Sequence, residues 1–208
     1  MQFSTEKLSS STKAFQFSTV KGISSFKMTL NWEGTQDVDL SVFGLRSNGK
    51  IDEKHFGYVF FYFWLEQVKA GSDVSSMIKV NADKTYETID GALVHSADIK
   101  NGSTQSEDEW VIFTPSKVAD SIEKLAIVAS IHGNGSFGSV ENTIFSIEDA
   151  DTNTTIQQYD LSKNFSSSKI ILLGELIKKM GVWEFQPIGD SHAEASLDSA
   201  LKAYGVPM

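Results

Sequence analysis

Short runs of hydrophobic residues that alternate with polar ones recur along most of this chain. In FKMTLNWE, every second position is apolar, at Phe26, Met28, Leu30 and Trp32. This period of two is the pattern of a β-strand with one face in a core. The segment YVFFYFWL, residues 58–65, is apolar throughout, which is typical of a strand buried on both faces. The pattern therefore predicts a protein built mainly from β-strands.

Further strand-like segments follow, and turn signals separate them. The predicted strands are VDLSVFGL, EWVIFTP, KLAIVASIH, SVENTIFSIE, TIQQYDLS, KIILLGELI and VWEFQPIG. Helix candidates are few: a short turn is predicted near Pro115, and EASLDSALKAYG predicts a C-terminal helix that ends at Gly205. Many strands with few helices predict an all-β fold, an antiparallel β-sandwich with short peripheral helices and a C-terminal helix.

Composition supports one large domain. The chain has 208 residues, of which 40% are hydrophobic, so it can bury a full core. Only three prolines occur, and no proline-rich or charge-rich linker divides the sequence. The Ser/Thr/Lys-rich beginning predicts an N-terminal arm over residues 1–20, followed by a single β-sandwich domain over residues 21–208.

Charge and cysteine content narrow the functional classes. A formal net charge of −9 argues against nucleic acid as a direct partner, because phosphate backbones are repelled. The absence of cysteine excludes disulfides and thiolate metal sites. The first residues lack the apolar core of a secretory signal, and the longest apolar run, residues 58–65, is too short to span a membrane. We therefore expect a cytoplasmic protein without a transmembrane segment.

Two acidic segments carry the candidate chemistry. The turn GTQDVDLSVF places two aspartates two residues apart, which puts both side chains on one side of an extended strand. The segment HSADIKNGSTQSEDEW gathers further acids and an asparagine in one loop. A hard cation such as calcium relieves repulsion among grouped carboxylates, because it takes six to eight oxygen ligands. The predicted ligands are Asp37, Asp39, Asp98, Asn101, Asp108 and Glu109. A polar turn and a solvated acidic loop remain the alternative interpretation.

Other motifs give weaker evidence of function. DADTNTT resembles the start of an EF-hand loop, but Thr154 occupies the position that needs glycine, so a hairpin turn is favoured. GNGSFG fits a dinucleotide-binding pattern, but a strand-like segment follows it where a helix is required. The four histidines lack zinc-site spacing, and His95, close to the acidic loop, is a second-shell candidate at most. We therefore predict no enzyme, no catalytic residues and no organic cofactor.

The order of these segments resembles the TerD family, the tellurium-resistance and stress-protein domain. The matching pieces are LNWEGTQDVDLSVFGL, YVFFY, LVHSADIKNGSTQSEDEWVIF, KLAIVASIHGNGSFGSVENTIFSIED, QYDLS, GELIKKMGVWEFQPIG and YGV. Together they cover residues 28–206. The resemblance implies a β-sandwich that binds Ca²⁺ through acidic loops. It also implies a non-enzymatic role in resistance to tellurite and other stresses, beside paralogues and membrane partners.

The sequence departs from the family pattern at several ligand positions. Ile99 and Phe63 stand where asparagines are expected, and Gln105 replaces an acid within the loop. The resemblance therefore implies a reduced ligand set, with binding that is weaker, limited to one ion, or lost. The alternative function is a structural interaction subunit with a degenerate metal site, part of an oligomer or a larger assembly such as a viral particle or a membrane-associated complex.

Overall fold

A computed structural model of the chain describes residues 14–17, 22–51, 70–102, 109–162 and 164–193, the backbone of 59–60, and the single positions 197, 199, 202 and 204. Its described elements are strands and two 3-10 turns, Pro115–Lys117 and Phe137–Ser139. The strands are β1 (Phe15–Gln16), β2 (Phe26–Glu33), β3 (Val38–Leu45), β4 (Val59–Phe60), β5 (Ile78–Val80), β6 (Tyr86–Thr88), β7 (Leu93–His95), β8 (Glu109–Phe113), β9 (Lys124–Ile131), β10 (Glu141–Asp149), β11 (Thr155–Asp160), β12 (Ile170–Lys179) and β13 (Val182–His192).

The strands form two antiparallel sheets. One has six strands in the order β1-β13-β12-β9-β3-β4, and the other has seven in the order β11-β10-β2-β8-β7-β6-β5. The prediction of an all-β antiparallel sandwich is confirmed. Among the described residues, no helical segment has the length and apolar character needed to cross a bilayer.

The main core lies between the sheets and follows the period of two. In β2, the side chains of Phe26, Met28, Leu30 and Trp32 are all buried in this core. Since alternate residues of a strand point to opposite faces, their polar neighbours lie on the outer face of the seven-stranded sheet. The alternation in FKMTLNWE therefore predicted both the strand and its buried face.

Strand β3 is buried on both faces. Its residues Val38, Leu40 and Val42 belong to the main core, whereas Phe43 and Leu45 belong to a second apolar cluster on the opposite face of the same sheet. The Tyr204 ring packs on Phe43, with 5.5 Å between the ring centres. Asp39, next to Leu40, therefore lies on a strand with little access to water, where a carboxylate is costly unless something compensates its charge.

Some predicted elements differ from those described. The predicted C-terminal helix is not seen as an element, and only residues 197, 199, 202 and 204 of its segment are described. Of YVFFYFWL, the structure describes only the strand β4, and the rest lies outside the described residues. Strands β5, β6 and β7 were not predicted, because three-residue strands are too short to display an alternating pattern.

Part of the predicted N-terminal arm pairs with the sandwich. Phe15 lies opposite Phe185 where β1 pairs with β13, at one edge of the six-stranded sheet. Phe17 is buried, and its ring contacts those of Phe26 and Phe113. Residues 1–13 and 18–20 of this arm lie outside the described part of the chain.

Candidate metal centre

The turn between β2 and β3 positions the first two carboxylates. Asp37 ends the turn and Asp39 is the second residue of β3, so the two side chains lie on the same side of the chain. Indole Nε1 of Trp32, a core residue, donates a hydrogen bond to the carbonyl oxygen of Gln36 at 2.8 Å. This bond fixes the turn to the end of β2, immediately before the acidic pair.

The segment after β7 brings the third carboxylate to the same place. The amide of Gly102 donates to the carbonyl oxygen of Gly34 at 3.0 Å, so this segment is tied to the β2–β3 turn. A side chain at Gly102 would overlap the Trp32 indole, and only glycine allows so close an approach. Together these contacts bring the segment that carries Asp98 beside the acidic pair.

The carboxylates of Asp37, Asp39 and Asp98 form one cluster. Each contributes an oxygen, and these oxygens all lie within 4.8 Å of one another. At that separation two full charges repel by about 3 kcal/mol at an effective dielectric near 20. Oδ1 of Asp37 is buried and has no hydrogen-bond partner. The cluster therefore combines repulsion with an uncompensated buried oxygen, which is the situation that a bound hard cation relieves.

Burial and mutual repulsion shift the protonation of the cluster. Burial first, and then the charges of Asp37 and Asp98, together raise the pKa of Asp39 to about 7. Burial also raises the pKa of Asp37, helped by Asp98. Two basic side chains act in the opposite direction: Lys100 lowers the pKa of both aspartates, and His132 lowers that of Asp37. Both pKa values stay raised, so these side chains offset the burial and repulsion only in part.

Glu109 lies beside the cluster but is occupied by backbone groups. Its side chain is 2% exposed, and Oε2 accepts a hydrogen bond from the amide of Leu40 at 2.6 Å. The backbone of Ile99 also hydrogen-bonds to this carboxyl group. Burial and the nearby charge of Asp39 raise the pKa of Glu109 well above its usual range. Glu109 thus connects backbone segments, and it is not one of the three clustered carboxylates.

His95 contacts β3 at Leu40, the same residue that Glu109 contacts. Its Nε2 lies 2.6 Å from the carbonyl oxygen of Leu40, and its Nδ1 lies 2.9 Å from that of Ser96. A carbonyl oxygen only accepts, so each contact is a hydrogen bond when that ring nitrogen carries a proton. Burial lowers the pKa of His95, while these two contacts oppose the shift. The histidine is therefore a structural group beside the cluster.

The predicted ligands thus have different positions. The structure brings Asp37, Asp39 and Asp98 together, and it places Glu109 next to them as a backbone-bonded group. Asn101 is exposed, and no described contact joins it to the cluster. Asp108, like Glu107, Gln105 and Phe63, lies outside the described residues.

Sequence reasoning did not identify the basic side chains beside the cluster, Lys100 and His132. Lys100 lies two residues after Asp98 in the sequence, so its position near the acidic loop was predictable. His132 comes from the far end of β9, where its amide donates to the carbonyl oxygen of Asp37 at 2.9 Å, and only the sheet pairing of β9 with β3 places it there.

Two other motifs have the structures that were expected of them. DADTNTT forms the turn between the paired strands β10 and β11, with Asn153 in the left-handed region. GNGSFG leads into the 3-10 turn Phe137–Ser139 and then into β10, so no helix follows it. The interpretation of both segments as turns is confirmed.

Fold and site together define an antiparallel β-sandwich with a compact acidic cluster where β3 and the turn before it meet the loop that follows β7. The family profile described as TerD domain matches residues 11–204, and the chain belongs to this family. It is 28% identical to General stress protein 16U of Bacillus subtilis (strain 168) over 196 residues, which is 89% of each chain. It is 27% identical to Tellurium resistance protein TerD of Serratia marcescens over 174 residues, covering 82% of this chain and 78% of the relative.

A solved structure supports the same architecture. The crystal structure of a homologue of telluride resistance protein (TerD) from Streptomyces coelicolor A3(2) aligns with a TM-score of 0.59 and 15% sequence identity. The alignment covers 89% of this chain and 100% of that one. At this level of identity the likeness shows the fold alone.

Proposed function

We propose that this protein is a non-enzymatic calcium-binding module of a tellurite- or stress-resistance system. Asp37, Asp39 and Asp98 hold one Ca²⁺ ion, and the ordered acidic loops then present a surface to a protein partner. The observation that carries the proposal is the cluster of three carboxylates within 4.8 Å, one of which has a buried oxygen without a hydrogen-bond partner.

The donor set favours a hard cation. All three clustered groups supply oxygen, and calcium accepts carboxylates in one- or two-oxygen contacts, completing its shell with carbonyl groups and water. Zinc prefers nitrogen and sulfur donors, and the described cluster contains neither. The chemistry of the residues therefore fits calcium better than zinc.

Ile99 accounts for one of the ligands that the family pattern has and this chain lacks. Where an asparagine is expected, this isoleucine packs against the main core. The loop is therefore held by apolar burial at this position, and an amide oxygen is lost as a donor. We expect one ion with modest affinity, and coordination completed by water or backbone carbonyls.

Calcium titration of the full chain by calorimetry tests the proposal. We expect saturable heat, and a melting temperature that rises with calcium and falls with chelator, since ligand at a hundred times its Kd stabilises a fold by about 2.7 kcal/mol. The double variant Asp39→Asn/Asp98→Asn should lose both effects. Asp120→Asn is the matched control, because that side chain is fully exposed and lies on the surface.

Absence of heat at millimolar calcium, with an unchanged melting temperature, would contradict the proposal. A stable oligomer by light scattering that is indifferent to chelator would instead favour a structural subunit of a larger assembly. Protein partners, among them paralogues of the family or a membrane-associated complex, stay predictions, as does a cytoplasmic location.

A further inference from the structure

The edge of β3 at Leu40 is held by side chains of the opposite sheet. Among the described residues, β4 pairs only with Val42 and Phe43, further along β3. At Leu40 the amide donates to Oε2 of Glu109 at 2.6 Å, and the carbonyl oxygen lies 2.6 Å from Nε2 of His95, which donates to it in the tautomer that carries the proton on Nε2. Two side chains of β7 and β8 thus contact the two backbone groups of Leu40 that a neighbouring strand would otherwise bond.

These contacts fall next to the clustered aspartates. Leu40 directly follows Asp39, and Ile99, whose backbone hydrogen-bonds to Glu109, directly follows Asp98. The carboxyl group of Glu109 therefore bonds to the backbone of two segments. On β3 it holds the residue after Asp39, and in the loop it holds the residue after Asp98. The distance between Asp39 and Asp98 depends on this connection, because a backbone amide fixed at one residue limits the position of the side chain before it.

Both side chains are fixed and shielded from water. Glu109 is 2% exposed and His95 is 7% exposed, and each has its polar atoms in short contacts with backbone groups. Oε2 of Glu109 is already engaged by an amide, which reduces its capacity to bind an ion. Buried hydrogen bonds of this kind hold a geometry more firmly than exposed ones do.

We propose that Glu109 and His95 are positioning residues of the cation site, holding β3 and the acidic loop at the spacing that lets Asp39 and Asp98 share one ion; this inference rests on the calcium binding proposed above. Groups behind the direct ligands of metal sites commonly change affinity by about 10- to 100-fold when they are removed. Sequence reasoning counted Glu109 among the ligands. A positioning role predicts that calcium affinity also depends on His95, whereas a ligand role of Glu109 makes no such prediction.

Calorimetric calcium titration of the full chain separates these two roles. The variants are His95→Leu, His95→Gln and Thr88→Val. We expect His95→Leu to weaken calcium binding by about 10-fold or more. Glutamine can donate to the carbonyl of Leu40, so His95→Gln should restore most of the affinity. Thr88 is a buried control in the same sheet, where its hydroxyl accepts from the Leu93 amide at 3.0 Å, and its loss should lower the melting temperature without weakening calcium binding.

Wild-type affinity in a folded His95→Leu protein, or an equal loss in Thr88→Val, would overturn the inference. A second measurement needs no calcium: amide hydrogen exchange of Leu40 and Ile99 in Glu109→Leu, compared with the unchanged chain. Faster exchange at both amides supports the connection, and unchanged exchange overturns it. If the unchanged chain takes up no calcium, the proposed function fails, and exchange alone then decides whether Glu109 holds the two segments.

Discussion

Two turns of this molecule carry aspartates two residues apart, and only one of them forms a candidate metal site. In the β10–β11 turn, the carboxylate of Asp149 accepts from the Thr152 hydroxyl at 2.7 Å and from the Asp151 amide at 2.9 Å. These hydrogen bonds lower the pKa of Asp149. In the β2–β3 turn, burial and neighbouring charges raise the pKa values of Asp37 and Asp39.

The difference shows what makes acidic residues into a site. Asp149 has its charge satisfied locally by its own turn, so nothing is gained from an added ion. Asp39 is 6% exposed and meets a third carboxylate from a distant loop, and Lys100 compensates its charge only in part. Spacing along the chain is the same in both turns, and the tertiary surroundings give opposite electrostatics.

The largest expected effect is a pH dependence of calcium-free stability. Because the pKa of Asp39 is raised to about 7 in the fold, the unfolded chain releases this proton first as pH rises above about 4. The contribution of Asp39 to the free energy of unfolding should therefore be full below pH 4 and be lost by pH 7, a change on the order of 4 kcal/mol. Urea unfolding between pH 4 and 8 measures it.

Asp39→Asn should reduce this dependence in the calcium-free protein without abolishing it, because the pKa values of Asp37 and Glu109 are raised as well. Saturating calcium should reduce it in the unchanged chain. Asp149→Asn should leave the slope present. A calcium-free protein whose stability does not fall between pH 4 and 7 would contradict the electrostatic contrast between the two turns.

The next effect concerns the close approach that assembles the cluster. Gly102→Ala places a methyl group against the Trp32 indole, so the loop must move. We expect a loss of about 1–3 kcal/mol in the free energy of unfolding, together with weaker calcium binding. Gly181→Ala, in the turn between β12 and β13, is the control: it has a φ of 81° but open space around the position, so only backbone strain of about 1–2 kcal/mol should appear, without change in affinity.

A smaller effect should follow from the cation beside the cluster. Lys100 lowers the pKa values of Asp37 and Asp39, and it therefore competes with a bound metal ion. Lys100→Gln should increase calcium affinity by about two- to fivefold at low salt, because contacts of an exposed charge are worth a fraction of a kcal/mol to about 1 kcal/mol. Titrations at two ionic strengths measure this, and a difference that persists at high salt would contradict a simple charge effect.

The smallest effect is expected at the β10–β11 turn. Asp149→Asn keeps most of the size of the side chain and removes its charge, and calcium affinity should stay within about twofold of the unchanged chain, because hydrogen bonds within the turn already satisfy this group. A large loss of calcium binding in this variant would locate the ion at the β10–β11 turn and contradict the proposed site.

Much of the fold was predictable from the order of residue types. The strands β2, β3 and β8–β13 correspond to predicted segments, because each is long enough to show a strand-like apolar pattern, alternating in some and continuous in others. The three-residue strands β5, β6 and β7 were missed for the opposite reason. Their pairing at the edge of the seven-stranded sheet depends on hydrogen bonds with neighbouring strands, which no local pattern predicts.

For the candidate site, the sequence determined the spacing of Asp37 and Asp39, the acidity of the second loop and the family. Only the tertiary structure decided that Asp98 meets the pair and that Glu109 holds backbone amides. The physical reason is that a local pattern fixes the direction of a side chain, whereas burial and distant charges fix its electrostatic environment. Those surroundings exist only after the two sheets have packed.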